Sequence, residues 1–413
     1  MKKVHVVGVG LNPVDIPSRL SKLILDAQVI VGGRRLLDWF EDLPALRIIV
    51  QSPVQETLTK IREETAQGKR VVVLADGDPL FFGIGTLLIE EMGKENVVIH
   101  PNVTTLQKAA ARLGIPWHDI RSVSLHGRKD IMPLLRALVK NDRVAVFTDH
   151  CFHPARVAEE LIQRGVGAFA MIVLENLETE SEKIEIFQLK EAAEKTFSPL
   201  NSIILDRIEQ PERPLHLGMD DDLYLHQKGL ITKKEIRAAG LAALEIMPDH
   251  VVWDLGSGSG SVAIEASLLA HNGTVFAVEK NEERVCLIRG NVGRMGAYNV
   301  EVIYGEMPGC LADLPDPDRI FVGGGMGRDN QVLEKATKRL KPGGRLVLHL
   351  VLIGSLSRAR EYLQSLGWVY SMGEINVSRS GAIAGDLRFE ALNPVYIITA
   401  KKPRQDAFER LPK

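Results

Sequence analysis

Val251-Val252-Trp253-Asp254-Leu255-Gly256-Ser257-Gly258-Ser259-Gly260-Ser261-Val262-Ala263-Ile264-Glu265 reads as a strand, a glycine turn and the first turns of a helix. The apolar Val251, Val252, Trp253 and Leu255 suit a parallel strand covered on both faces. Gly256, Gly258 and Gly260 permit a sharp turn and let a ligand lie against bare main chain. Ser259 or Ser261 is placed to cap the helix that carries Val262, Ala263, Ile264 and Ala266. The unpaired N–H groups at that helix start favour a polar or anionic ligand group. A second strand, Thr274-Val275-Phe276-Ala277-Val278-Glu279, ends on an acid spaced from the glycines as a ribose-binding carboxylate requires. The region is expected to bind a nucleoside-bearing cofactor, either NAD or S-adenosylmethionine.

Three features favour the methyl donor. The turn is Gly-x-Gly-x-Gly, not Gly-x-Gly-x-x-Gly; Glu279-Lys280-Asn281 leads into a helix from near Glu282; and Gly305-Glu306-Met307-Pro308 follows a third strand. On these residues the region resembles the class I methyltransferases. The run Ile231-Thr232-Lys233-Lys234-Glu235-Ile236-Arg237 precedes it, with Thr232 and Glu235 spaced as a capping box. Together with Trp253 to Gly260 it resembles the C15-methylating, decarboxylating precorrin enzymes. The fourth strand, Arg319 to Val322, ends in Gly323-Gly324-Gly325-Met326-Gly327 and lacks the acceptors and stacking ring of amino-group DNA methyltransferases. Asn393-Pro394-Val395-Tyr396 is read as the structural start of the last strand. Arg379 to Arg388 reads as a mobile, basic-flanked loop, either a lid over substrate or an oligomer contact.

The N-terminal half alternates strand and helix from Val4-His5-Val6-Val7-Gly8-Val9-Gly10 onward. Val71 to Ala75 delivers the loop Asp76-Gly77-Asp78-Pro79-Leu80-Phe81-Phe82-Gly83-Ile84-Gly85 to a helix, and Thr104 or Thr105 caps the helix to Leu113. Gly114-Ile115-Pro116-Trp117 breaks the half into two lobes. In the second lobe, His126-Gly127-Arg128 and Thr148-Asp149-His150 end strands, where open α/β sheets place ligands. These segments resemble the class III tetrapyrrole methyltransferases, and within them the C5-methylating precorrin enzymes, from Val4 to about Arg207. Leu11-Asn12-Pro13 departs from the Gly-Pro-Gly more common in that superfamily.

Size and composition agree with such a chain. Its 413 residues exceed one ordinary core, so about two or three domains are expected. The aperiodic Glu209-Gln210-Pro211-Glu212-Arg213-Pro214 places a boundary, giving domains 1–207 and 208–413. A net charge of −2 argues against a protein that tracks nucleic-acid phosphates. Cys151, Cys286 and Cys310 have neither metal-like nor disulfide-framework spacing, so no metal is expected and the thiols are expected reduced. No apolar run reaches membrane-spanning length, and Met1-Lys2-Lys3 leads straight into a strand, so a cytoplasmic location without a membrane partner is expected.

The two resemblances imply an α/β chain, with a two-lobed class III fold followed by a Rossmann-like class I fold. They imply S-adenosylmethionine-dependent methylation of a tetrapyrrole, precorrin-6B, at C5 and C15. Loss of the C12 acetate carboxyl then gives precorrin-8 in cobalamin biosynthesis; the cobalt-containing counterpart is equally compatible. The matched cofactor residues are Thr232, Gly256, Ser257, Gly258, Ser259, Gly260, Glu279 and Met307 in the C-terminal half. In the N-terminal half they are Asp76, Gly77, Asp78, Phe81, Thr104, Thr105 and Asp149. Arg35, Arg128, Arg379 and Arg388 suit peripheral carboxylates, because guanidinium groups pair with them bidentately. No general acid stands out beyond His126. A homo-oligomer is expected. An NAD-dependent dehydrogenase, an RNA methyltransferase and a tetrapyrrole carrier remain the competing readings.

Overall fold

Runs of β-branched residues account for the central strands. In the computed structural model, which describes residues 2–227, 229–324, 326–327 and 329–404, they build two five-stranded sheets and one seven-stranded sheet. Cα packing divides the chain into two compact units. The first comprises Met1–Gly127, Arg143–Arg156 and Met171–Asp206; the second comprises Arg128–Asp142, Val157–Ala170 and Arg207–Lys413.

In the first unit, β1 (Val4–Gly8), β2 (Val29–Gly32), β3 (Leu46–Ile49), β4 (Val71–Ala75) and β5 (Val97–His100) lie in the order β3-β2-β4-β1-β5. All four pairings are parallel. Apolar clusters cover both faces, which is why β1 and β4 read as near-continuous valine runs. The helix Thr105–Leu113 ends on Gly114 in the left-handed conformation, and the chain there passes to the second sheet, as the lobe break anticipated. That sheet holds β6 (Arg121–Ser124), β7 (Arg143–Phe147), β8 (Phe169–Glu175), β9 (Lys183–Gln188) and β10 (Asn201–Arg207), ordered β6-β7-β10-β8-β9. It is mixed: β7 runs parallel to β6 and antiparallel to β10.

In the second unit, β11 (Val251–Leu255), β12 (Thr274–Glu279), β13 (Val300–Tyr304), β14 (Arg319–Val322) and β15 (Arg345–Leu350) are parallel. With β16 (Val369–Ile375) and a final strand, Val395–Lys401, the order is β13-β12-β11-β14-β15-(395–401)-β16. The chain leaves β11 to one side for β12 and returns on the other as β14. That reversal is the switch point at whose carboxyl edge open sheets hold ligands. The segments 128–142 and 157–170 pack with Arg207–Lys413 in this unit. Arg136 donates to the Gly273 carbonyl at 3.1 Å and to Thr274 Oγ1 at 2.6 Å, and Arg164 pairs with Glu301 at 3.1 Å.

The expected mobile loop from Arg379 to Arg388 is instead ordered as an antiparallel hairpin, Ser378–Ile383 against Asp386–Ala391. Ala384 and Gly385 at its tip both have positive φ, 48° and 84°, the requirement of a tight hairpin turn. The second strand of the hairpin is exposed throughout, so no burial pattern marks it in the sequence; backbone pairing alone supplies its order.

Within the second unit, a buried ion pair joins the segment before the sheet to the helix after the glycine turn. Glu265, fully buried, accepts from Arg237 Nε at 2.7 Å, from the Gly218 and Met219 amides at 2.8 and 3.1 Å, and from Tyr224 Oη at 3.1 Å. Arg237, equally buried, also donates to the Thr232 and Met219 carbonyls and to Asp221. Removing one member of such a pair strands the other charge. Glu265→Ala is expected to destabilise this unit by about 3–5 kcal/mol. Arg379→Ala, at a half-exposed pair, should cost about 1 kcal/mol or less. Urea unfolding followed by circular dichroism measures both.

Candidate functional site

The glycine turn after β11 is built by close backbone approach. Gly256 has φ +75°, and a Cβ there would lie 2.5 Å from the Gly324 carbonyl oxygen at the end of β14. Gly260 has φ +79° and abuts Ile288; Gly258, at φ +62°, faces open space with no atom within 4 Å of where its Cβ would lie. The turn therefore presents bare main chain around Gly258. Gly325 lies outside the described residues.

Neither serine caps the following helix. It begins at Ser261 with Gly260 as N-cap and no side-chain cap bond. Asp254 does the work from inside β11: one carboxylate oxygen accepts from the Ala263 amide at 3.1 Å and from Ser257 Oγ at 2.6 Å. Burial pushes the Asp254 carboxyl up to about 7, against the pull of those two hydrogen bonds. An acid inside an apolar strand was the signal for this residue. Ser259, 3% exposed, has no hydrogen-bond partner for its hydroxyl among the described residues.

The structure brings Glu279 to the turn. Its Oε2 accepts from the Gly258 amide at 2.9 Å, and Oε1 accepts from the Lys280 and Asn281 amides at 3.0 Å each. Met307 follows β13 and packs against the core of the sheet. The Thr232–Glu235 capping box does not form. The helix starts at Lys234 with Lys233 as N-cap, because Glu235 is drawn to Arg379 and the Thr232 carbonyl to Arg237. Arg379 is thus occupied by Glu235, at 2.6 and 3.1 Å, and by Asp221 at 2.9 Å, which hold its guanidinium in the charged form. Arg388 pairs with Glu390 inside the hairpin.

The first unit assembles its loops in the same manner. A Cβ on Gly8 would lie 2.0 Å from the Gly77 carbonyl oxygen, and one on Gly77, at φ +53°, would lie 2.9 Å from Thr104 Cα. Asn102, which sequence reading passed over, ties these loops by donating to the Gly8 and Asp15 carbonyls at 3.1 and 3.0 Å. Thr104 is the N-cap of its helix, closing a capping box with Gln107, and Thr105 is the first helical residue. Asp78 accepts from the Leu80 amide at 2.9 Å, shaping the loop, while Asp76 pairs with Arg35 at the surface. Phe81 meets Phe147 edge-on at 5.5 Å, and Phe82, at φ +56°, joins them half-exposed. Asp149 accepts from the Gly127, Cys151 and Phe152 amides at 2.7–2.8 Å. Burial would raise its carboxyl, but these amides outweigh that and hold it below the usual range. Arg128 is exposed beside Gly127.

Residues 3–193 match the family model described as Tetrapyrrole (Corrin/Porphyrin) Methylases, and 222–402 match the Precorrin methyltransferase domain. Both models describe methylases of corrin-type macrocycles. A precorrin-6Y C(5,15)-methyltransferase [decarboxylating] of Sinorhizobium sp is 34% identical over 400 residues, covering 94% of each chain. The chain belongs to this precorrin-6Y C(5,15)-methyltransferase (decarboxylating) family. A probable cobalt-precorrin-6B C(15)-methyltransferase (decarboxylating) of Pyrobaculum calidifontis is 38% identical over 44% of this chain and 95% of its own. A precorrin-6Y C5,15-methyltransferase structure from Geobacter metallireducens is 42% identical, covering 45% of this chain and 97% of that one, with TM-score 0.44.

Two expectations follow from the turn. Gly256→Ala must displace the β14 terminus and should destabilise the second unit severely, whereas Gly258→Ala bears only the cost of a left-handed alanine, about 1–2 kcal/mol. Calorimetric titration with S-adenosylhomocysteine should show Gly258→Ala weakened at this turn although the unit is folded. The raised Asp254 carboxyl stabilises the fold below pH 4, and that contribution is lost as pH rises through about 7. Asp254→Asn should remove a slope of about 1.4 kcal/mol per pH unit between those values, read from urea midpoints across that range.

Proposed function

We propose that this chain transfers methyl groups from S-adenosylmethionine to C5 and C15 of precorrin-6B and removes the C12 acetate carboxyl as carbon dioxide, yielding precorrin-8. The observation that carries this reading is the pair of glycine-lined loops, Gly8 against Gly77 and Gly256 against Gly324, each at the carboxyl ends of parallel strands. In this reading residues 1–207 form a two-lobed class III domain acting at C5, and 208–413 form a Rossmann-like class I domain acting at C15. A macrocycle with conjugated pyrrole nitrogens offers enamine-like ring carbons and an electron sink for decarboxylation. S-adenosylmethionine supplies an electrophilic methyl on sulfonium. The protein's task is chiefly alignment, worth up to roughly 7–11 kcal/mol in favourable intramolecular cases.

Open main chain at Gly258 and the orphaned Ser259 hydroxyl suit a nucleoside at the second turn. Glu279, 5% exposed and fixed beside Gly258, is the acceptor for ribose hydroxyls; Thr232, Gly256, Ser257, Gly260 and Met307 complete the set. In the first domain Asp76, Gly77, Asp78, Phe81, Thr104, Thr105 and Asp149 serve the same role. Arg35 and Arg128 are the guanidinium groups assigned to substrate carboxylates there. Arg35, Arg379 and Arg388 serve this role only by exchanging their own acidic partners for carboxylates of the substrate. The relative from Pyrobaculum calidifontis, named for a cobalt-precorrin, supports the cobalt-containing substrate as a second reading. Exposed Ile383, Leu387 and Phe389 on the hairpin support self-association of the chain. None of the described helices is long and apolar enough to cross a membrane.

The test incubates the full chain with precorrin-6B and methyl-labelled donor, reading product mass and released carbon dioxide. Glu279→Ala should abolish C15 methylation and spare C5 transfer. Asp78→Ala should impair C5 transfer alone. Equal loss of both methyls in either variant contradicts the division between domains.

A further inference from the structure

In the first unit, β7 runs out into the loop Thr148-Asp149-His150-Cys151 before the helix Pro154–Gln163. Three consecutive residues of that loop offer a carboxylate oxygen, an imidazole nitrogen and a thiol sulfur, and one such atom from each lies within 4.8 Å of the other two. Four-coordinate ions of the zinc type bind nitrogen and oxygen at about 2.0–2.2 Å and sulfur at about 2.3 Å. Ligand atoms around such an ion therefore stand about 3.3–3.8 Å apart, so side-chain rotation suffices to close the set.

We propose that Asp149, His150 and Cys151 form a binding site for one thiophilic divalent cation of the Zn2+ or Co2+ class. The mixed carboxylate, imidazole and thiolate set favours these ions over Mg2+ or Ca2+, which take oxygen ligands. Asp149 is already fixed as the anchoring ligand. The Cys151 and Phe152 amides both donate to its Oδ1, whereas Oδ2 accepts from the Gly127 amide, and each carboxylate oxygen carries further lone-pair capacity for an ion. Those amides hold the carboxylate in place and orient it, as hydrogen bonds to a ligating carboxylate do. His150 and Cys151 are exposed, so both are accessible to an incoming ion. Coordination releases the Cys151 thiol proton to solvent, and the thiolate pair forms the metal–sulfur bond. Three protein ligands leave a fourth position for water or an external carboxylate.

Cysteine spacing does not disclose such a site, because each of the three cysteines stands far from the others in sequence. The site shares Asp149 with the cofactor set proposed for the first domain, but the test reads binding of the metal alone and so fails or succeeds separately from methyl transfer.

The test uses the full chain, stripped of metal by chelation and titrated with Co2+. One equivalent should produce a thiolate-to-cobalt charge-transfer band in the near ultraviolet and the intense visible bands of four-coordinate Co2+, both bleached by Zn2+. Cys151→Ser should abolish the charge-transfer band, and His150→Ala should weaken Co2+ binding at least tenfold. Cys286→Ser, altering an exposed thiol elsewhere, should leave the spectrum unchanged. Unchanged circular dichroism in each variant keeps the comparison one of folded proteins. Absence of the charge-transfer band in the unaltered chain, or its persistence in Cys151→Ser, overturns the proposal.

Discussion

The buried pair of Arg237 and Glu265 is the constraint on which the second unit depends. A carboxylate on the helix after the glycine turn is taken wholly out of water and held by one guanidinium, two amides and a phenol. Those partners come from the segment 218–237, which precedes the sheet in sequence. The pair therefore draws that segment onto the helix Ser261–Leu269 and determines where the glycine turn points. Asp221 extends the network outward from Arg237 to Arg379 on the hairpin, and Glu235 completes it. One chain of alternating charges thus links the buried helix to the exposed hairpin. The low dielectric around Glu265 makes its link to Arg237 costly to break, whereas the half-exposed links to Arg379 contribute little.

Both units build their glycine loops by the same physical means. Loops from neighbouring strands approach so closely that only hydrogen fits between them, at Gly8 against Gly77 and at Gly256 against Gly324. Side chains then freeze the loops: Asn102 and the Thr104 capping box in the first unit, Asp254 and Glu279 in the second. In the second unit these hydrogen bonds originate inside the strands, from Asp254 and Glu279; in the first they come from Asn102 and Thr104, in the connection that follows β5.

Much of this was legible in the chain. The strands around the glycine turns read correctly because they are buried on both faces, and such strands are continuous apolar runs. Gly114 and Thr104 marked helix ends through local chemistry alone. By contrast, β3 and β9 escaped notice: in β3 only Ile48 is buried, and in β9 no residue is. The hairpin beyond Val377 read as a loop for the same reason. At the site, Thr232 with Glu235 looked like a local cap, but Arg379, more than a hundred residues away, takes the glutamate.

Sequence by itself determined what depends on a residue and its near neighbours. That covers the order of the buried strands and the main helices, the two glycine turns, the acid at the end of β12, and the resemblance to enzymes of one macrocycle. Tertiary structure alone decided the partnerships. Asp254 rather than a serine satisfies the helix after the turn, Glu279 sits on the Gly258 amide, and Arg379 is spent on the chain's own acids. The reason is physical: hydrogen bonds and ion pairs are settled by distance in space and by burial, and neither is written at the position of a single residue.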